Sequence, residues 1–383
     1  MRLPVAAAVA SAALLCALTG AAAAAAGAEA QSSCLLVRDQ QQQQDVRIEQ
    51  FGRNAVRVRA VPSGGAIRDD LVSALLPPAD GFAAGPGASS CASVTLAPGA
   101  GQSVTSGNLR AELGADGRLR FTRVHDSKLL LSEATPRSLA PTVTTPPLPG
   151  FLGLNVTFEA VAGERIYGLG QHKTNVLDNK QAGKLSLTPR NTEILIPVAH
   201  SSLGYAFLMN LPGFGSVEFG DDQTSWQLET VLQADFWVAT TDPPPPPPAT
   251  GGAEVEVSPW AQLQHSYANA TGHSPVYPQW ASGYWQCKNR YHNQTQVLDV
   301  ARGYASRGYP ISLIVIDYFS WAPGPLGDET LPAQCWPDPA GMVRELKAMG
   351  VEVMLSPYVE ESLKYIQCSE ICTLRNEKFH TET

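Results

Sequence analysis

The residue types best suited to chemistry gather around position 317. Asp317 ends the apolar run Ile311-Ser-Leu-Ile-Val-Ile-Asp317, and Tyr318, Phe319 and Trp321 follow it closely. A carboxylate placed there can accept hydrogen bonds from sugar hydroxyls while aromatic faces hold the ring, the mixture of apolar wall and few polar groups that binding pockets share. The same aspartate could cap a strand or close a salt bridge. The aromatics beside it, with Trp285 upstream, favour binding. Asp317, Trp285, Tyr318 and Trp321 are therefore the candidate substrate-binding residues.

Other chemical signatures fail. Gly168-Leu-Gly170 meets Lys173 where a dinucleotide loop needs its third glycine. The sequence holds no G-x-S-x-G elbow, no H-E-x-x-H and no histidine pair at ligand spacing. No metal and no cofactor are expected. Asp221-Asp222 sits in a glycine-flanked turn and reads as solvated, and His172 and His200 read as structural. No catalytic residue can be assigned.

The elements that must position Asp317 follow from period and punctuation. Trp280–Cys287 is an aromatic, strand-like run. Asn293 and Gln296 form a capping box ahead of Val297, Val300, Ala301 and Tyr304, one helical face, which Gly308 ends. Ile311–Asp317 is continuously apolar, as for a strand buried on both faces. Asp338 caps the next helix with Pro339 at its first position, Gly350 stops it, and Val351–Leu355 is a third buried strand. Strand, helix, strand, helix, strand means a parallel sheet, whose ligands bind at the carboxyl ends of the strands. Those ends are Trp285–Tyr291, Asp317–Trp321 and Pro357–Tyr358.

Upstream, residues 31–270 read as all-β, with short runs broken by Gly, Pro, Asp and Asn and no helical stripe of ten residues. Gly114-Ala-Asp-Gly117 reads as a hairpin turn. A β-sandwich is the natural architecture. Gln40–Gln44 and the stretch near Gly81–Ser90 read as mobile loops, and Pro243–Pro248 as a stiff polyproline segment.

Composition sets the outer bounds. The chain has 383 residues, 16% charged and 44% hydrophobic, and a net charge of −8. That excludes a disordered chain and makes nucleic acid an unfavourable partner. Residues 1–30 read as a signal peptide cleaved after Ala30, so the expected location is the secretory pathway or outside the cell, with no membrane attachment after cleavage. Six cysteines remain, Cys34, Cys91, Cys287, Cys335, Cys368 and Cys372, with 15 ways to pair. Sequons stand at Asn155, Asn269 and Asn293. The last conflicts with capping, and the cap is favoured.

Several blocks together resemble glycoside hydrolase family 31, the α-glucosidases and α-xylosidases. They are Glu164-Arg-Ile-Tyr-Gly-Leu-Gly-Gln171, Thr192–Asn210, Trp280–Tyr291, Ile311–Tyr318 and Cys335-Trp-Pro-Asp-Pro-Ala-Gly-Met342. Gln286-Cys-Lys-Asn-Arg-Tyr291 leans toward the α-xylosidases. The resemblance implies an N-terminal β-sandwich (galactose-mutarotase-like, 31–275), then the first part of a (β/α)8 TIM barrel (276–360) and a divergent tail (361–383). It also implies retaining hydrolysis of terminal α-linked xylosyl or glucosyl residues of an oligosaccharide or glycoside. The family aspartate that ends the second barrel strand and contacts the sugar before the scissile bond maps to Asp317. The family nucleophile lies in a W-x-D-x-x-E-type motif after the fourth strand, and these 383 residues contain none. The expectation is an incomplete chain (a fragment, splice product or gene-model error) that does not hydrolyse alone. The alternatives are a non-catalytic carbohydrate-binding protein and an inert product with an open sheet edge. Oligomeric state stays open.

Overall fold

A computed structural model describes residues 33–76, 91–142, 148–190, 192–244, 257–317, 320 and 331–356. The chain divides into two compact units, Met1–His273 and Ser274–Thr383. Each is a body with its own core.

The first unit is antiparallel and layered. Its largest sheet has eight strands in the spatial order Ile166–Gln171, Ile194–Ser201, Tyr205–Met209, Ala234–Thr240, Ala55–Pro62, Gln44–Gln50, Cys34–Asp39 and Ala92–Thr95. Only the last pair runs parallel. A five-stranded sheet orders Lys184–Ser186, Gly215–Phe219, Gln223–Val231, Leu152–Glu159 and Ser138–Pro141. A four-stranded meander runs from Gln102–Ser106 through Leu109–Leu113 and Leu119–Arg123 to Lys128–Ser132.

Strand alternation explains the core. Val46, Ile48, Val56, Val58, Phe207 and Phe236 lie in one buried cluster with Phe158 and Trp226 from the five-stranded sheet and Leu109 and Phe121 from the meander. Phe207 stacks on Phe236 at 5.3 Å, and Phe158 meets it edge-on at 5.5 Å. The alternate positions of the large sheet carry charge. Arg59 pairs with Glu49 at 2.6 Å, and Arg57 with Asp235 at 2.6 Å. Burial pushes the Asp235 carboxyl up, while Arg57 opposes the rise. Pairing is what makes these buried charges tolerable.

Gly114-Ala-Asp-Gly117 makes the expected hairpin turn, with Gly117 N donating to Gly114 O at 2.9 Å. Other expectations need correction. Gln40–Gln43 is a short turn between two strands, in which Asp39 Oδ1 accepts from the backbone N–H groups of Gln41 and Gln42 at 3.0 and 3.1 Å. A helix, Pro259–Thr271, stands where only strands were read. Ser258 caps it and proline takes its first turn. Its apolar stripe is thin: only Leu263, Tyr267 and Ala270 turn inward, against Trp237 and Leu208. Period alone does not detect so sparse a face. Of the 15 cysteine pairings, Cys34–Cys91 is formed, while Cys287 and Cys335 are free. Residues 77–90, which contain Gly81–Ser90, and 245–256, which contain all but the first two residues of Pro243–Pro248, lie outside the described residues.

The second unit is parallel. Strands Trp285–Cys287, Leu313–Asp317 and Glu352–Ser356 lie side by side in that order. Helices Gln294–Ser306 and Pro339–Ala348 connect them. Local signals set the helix ends as read. Asn293 Oδ1 accepts from Gln296 N at 3.0 Å, and Asp338 Oδ1 from Gly341 N at 2.8 Å. Gly308 and Gly350, at φ 71° and 75°, take the left-handed conformation that lets the chain leave each helix. The aromatic run 280–287 is not one strand: Gln279–Ser282 is a 3₁₀ turn and only Trp285–Cys287 pairs. Glu352–Ser356 is not fully buried either, since Met354 and Leu355 remain 38% and 36% exposed. Among the described residues it is an edge strand with one neighbour.

Candidate functional site

Register assigns the two faces of the parallel sheet. Cys287 pairs with Val315, Trp285 with Leu313, and Asp317 with Ser356. Paired residues share a face and neighbours along a strand alternate. Ile314 and Ile316 therefore face the helices, where they join Val297, Ala301, Met342 and Leu346 in a buried cluster. Trp285, Cys287, Val315, Asp317, Met354 and Ser356 take the opposite face. A cavity of about 310 Å³ bounded by Ile316, Met342, Val343 and Leu355 lies on the helix side and is not the candidate site.

Asp317 is the last residue of its strand, at the carboxyl end. Its Oδ1 is buried and has no hydrogen-bond partner among the described residues. An acceptor left so is costly unless a ligand supplies the donor. Cys287, the last residue of the first strand, is its neighbour on that face. Burial pushes the Cys287 thiol up, and the Asp317 charge adds to the rise. The thiol therefore stays protonated, a small neutral wall beside the carboxylate.

Gln286 turns the other way and acts as a brace. Its Oε1 accepts from Tyr304 OH at 2.7 Å and Tyr284 OH at 3.1 Å, and its Nε2 donates to Tyr291 OH at 3.3 Å. Tyr291 is fully buried, and burial pushes its phenol up. After the strand the chain turns sharply: Arg290 N donates to Lys288 O at 2.7 Å, and Arg290 holds φ 93°. Non-glycine residues in that region are uncommon and concentrate at sites where the backbone must be aimed.

The four sequence-derived residues fare differently. Asp317 occupies the expected position. Trp285 does not lie beside it. It is the first residue of its strand and pairs with Leu313, four residues before Asp317. At about 3.3 Å per residue that is roughly 13 Å along the sheet. There its Nε1 donates to Ala281 O at 3.0 Å and its ring lies 6.2 Å from Trp280. The strand is shorter than its aromatic run, so its carboxyl end begins at Cys287. Tyr318 and Trp321 lie outside the described residues. The reading from sequence missed Cys287 as a site neighbour. Counting two positions on from Trp285 would have found it, had the start of the strand been known.

In the first unit the Glu164–Gln171 block is an edge strand with an irregular register between Gly168 and Gly170. Glu164 anchors it by accepting from Ser201 Oγ and from Tyr205 OH at 2.8 Å. His172 lies 3.8 Å from Glu193, and the half-buried His200 is pulled down by desolvation. Asp221 and Asp222 are exposed. Among the described residues no three His, Cys, Asp or Glu side chains group as a metal site, and no helix is long and apolar enough to cross a membrane.

The first unit is an antiparallel sandwich, and the second carries strand–helix–strand units with a carboxylate at the end of the second parallel strand, the end at which parallel α/β folds place their ligands. Residues 274–380 match the glycosyl hydrolases family 31 TIM-barrel domain. The match extends past Glu360, where the motif-based resemblance ended. A family 31 glucosidase of Pseudescherichia vulneris is 34% identical over 339 residues, covering 83% of this chain and 58% of that protein. Alpha-xylosidase A of Aspergillus niger is 30% identical over 337 residues, covering 84% and 43%. The crystal structure of a GH31 alpha-xylosidase from a soil metagenome, complexed with xylose, superposes with a TM-score of 0.64 at 31% identity, covering 88% of this chain and 48% of that one. The chain belongs to glycoside hydrolase family 31. It spans about half the length of these relatives.

Proposed function

We propose that these residues carry the sugar-binding side of a retaining α-glycosidase site. Asp317 accepts hydrogen bonds from hydroxyls of a terminal α-linked xylosyl or glucosyl residue in the subsite before the scissile bond, and Cys287 lies beside it. The buried, unpartnered Oδ1 of Asp317 at the carboxyl end of its strand supports this reading most directly. The α-xylosidase relatives favour xylosyl over glucosyl units.

Retention needs two carboxyls about 5–5.5 Å apart flanking the bond. No W-x-D-x-x-E motif occurs in the 383 residues. The polypeptide of these residues accordingly binds sugar without hydrolysing it. The test titrates xylose and glucose into the protein and into Asp317→Asn, with p-nitrophenyl α-xyloside turnover measured alongside. Removing a charged hydrogen bond worth about 1.5–3 kcal/mol should weaken binding at least ~10-fold. Equal affinity in the variant would sink the role of Asp317, and turnover by the 383-residue chain would sink the non-hydrolytic reading.

The protein is further proposed to enter the secretory pathway through residues 1–30. The Cys34–Cys91 disulfide supports that, since such bonds persist in oxidising compartments.

A further inference from the structure

Three asparagines head Asn-x-Ser/Thr tripeptides and have no part in the sugar site: Asn155, Asn269 and Asn293. Such an asparagine can keep a glycan only where the folded chain leaves room for a bulky, solvated group. Transfer joins its Nδ2 to C1 of the first sugar and breaks the bond from C1 to the phosphate of a lipid-linked oligosaccharyl pyrophosphate. One Nδ2 proton is released and the lipid pyrophosphate leaves. Oδ1 remains an acceptor throughout. The fold therefore sorts the three by what it asks of each amide.

Asn155 lies in the strand Leu152–Glu159, whose residues Leu154, Val156 and Phe158 join the core. It stands on the opposite, outer face of the five-stranded sheet and is exposed. Its strand partners are Gln227 and Ser138, neither with a ring. Thr157 Oγ1 and Ser225 Oγ donate to its Oδ1 at 3.3 and 3.4 Å, so both bonds fall on the atom that transfer leaves unchanged. Asn269 is exposed on the last turn of the helix Pro259–Thr271, and Gly272 and His273 after it are exposed as well. Its Oδ1 accepts from His273 Nε2 at 2.8 Å, while the contact from its Nδ2 to His265 Nδ1 is long, at 3.4 Å.

Asn293 differs. It is half-buried, and its Oδ1 is the helix cap that accepts from Gln296 N. Gln296 Oε1 accepts in turn from His292 N at 2.9 Å. Gln294, the middle residue of the tripeptide, is tied to the segment before the next helix. Its N donates to Cys335 O at 3.0 Å, and its Oε1 accepts from Asp338 N at 2.9 Å. The amide and the residue after it are both committed to the fold, and turning the amide outward for a sugar forfeits the cap.

We propose that Asn155 and Asn269 carry N-linked glycans and that Asn293 stays bare. The inference rests on the proposal that residues 1–30 lead the chain into the secretory pathway.

The test secretes the chain, with its own residues 1–30, from yeast cells. A peptide N-glycosidase in heavy-oxygen water turns each glycosylated asparagine into labelled aspartate, and peptide masses read the three positions separately. The expected result is label at Asn155 and Asn269 and none at Asn293. Asn155→Gln and Asn269→Gln should each remove one step in gel mobility, and Asn293→Gln none. Label at Asn293 overturns the proposal, because the cap would then give no protection. So does an unlabelled Asn155 or Asn269 in secreted protein. If the chain keeps residues 1–30 and carries no label, the secretory reading fails, and the same chain behind the yeast's own leader then decides the sorting by itself.

Discussion

Gly170→Ala offers a measurement of how tightly the Glu164–Gln171 block is built. Gly170 lies at φ 87°, and a Cβ added there would overlap the carbonyl oxygen of Ile194, with Ile194 C at 2.9 Å and Ile196 N at 3.0 Å. All three atoms are backbone, so no side chain can rotate away. Relief requires the edge strand to separate where Gly170 pairs with Leu195 and Gln171 with Ile194. Two strand hydrogen bonds at about 1 kcal/mol each, added to about 1–3 kcal/mol for an L-residue at that φ, give roughly 3–5 kcal/mol. Gly163→Ala is the matched control. It has φ 77° and nothing within 4 Å of the added Cβ, so it carries the backbone cost alone. Urea unfolding followed by the fluorescence of buried Trp226 and Trp237 reads both variants. Equal losses would refute the argument, because they would show that the close approach to Ile194 costs nothing.

Two further predictions concern the first unit. The Cys34–Cys91 bond closes 57 residues, which in the chain-entropy account stabilises by about 4 kcal/mol; Cys34→Ser with Cys91→Ser should lower the urea midpoint accordingly, and an unchanged midpoint would count against the bridge. Desolvation depresses the His200 imidazole below its ordinary 6.5. A depressed folded value means the unfolded chain takes up the proton first. Stability from this group is present above about pH 6.5 and lost as pH falls below it. His200→Gln should flatten that part of the stability–pH profile, which chemical denaturation at pH 7.5 and pH 5 would show.

Much of the architecture was legible because it is written locally. Asn293 and Asp338 announce helix starts, Gly308 and Gly350 announce stops, and the spacing of Val297, Ala301, Met342 and Leu346 predicts the buried faces that the structure shows. The helix Pro259–Thr271 was not legible, because Trp237 and Leu208 of the sheet supply most of the apolar surface it needs. The place of Trp285 was not legible for a related reason: where its strand starts depends on pairing with Leu313, which leaves its indole donating to Ala281 O and its ring against Trp280.

By itself, the sequence determined the alternation of strands and helices after residue 275, the carboxylate that ends the apolar run 311–317, and the missing W-x-D-x-x-E motif. Tertiary structure alone decided that Cys287 rather than Trp285 neighbours Asp317, that Cys34 bonds to Cys91, and that the indole of Trp336 reaches Ser320. The physical reason is range. Caps and stops act within a turn of helix, whereas strand register has a period of two and depends on a distant partner, so a shift of one residue exchanges the faces.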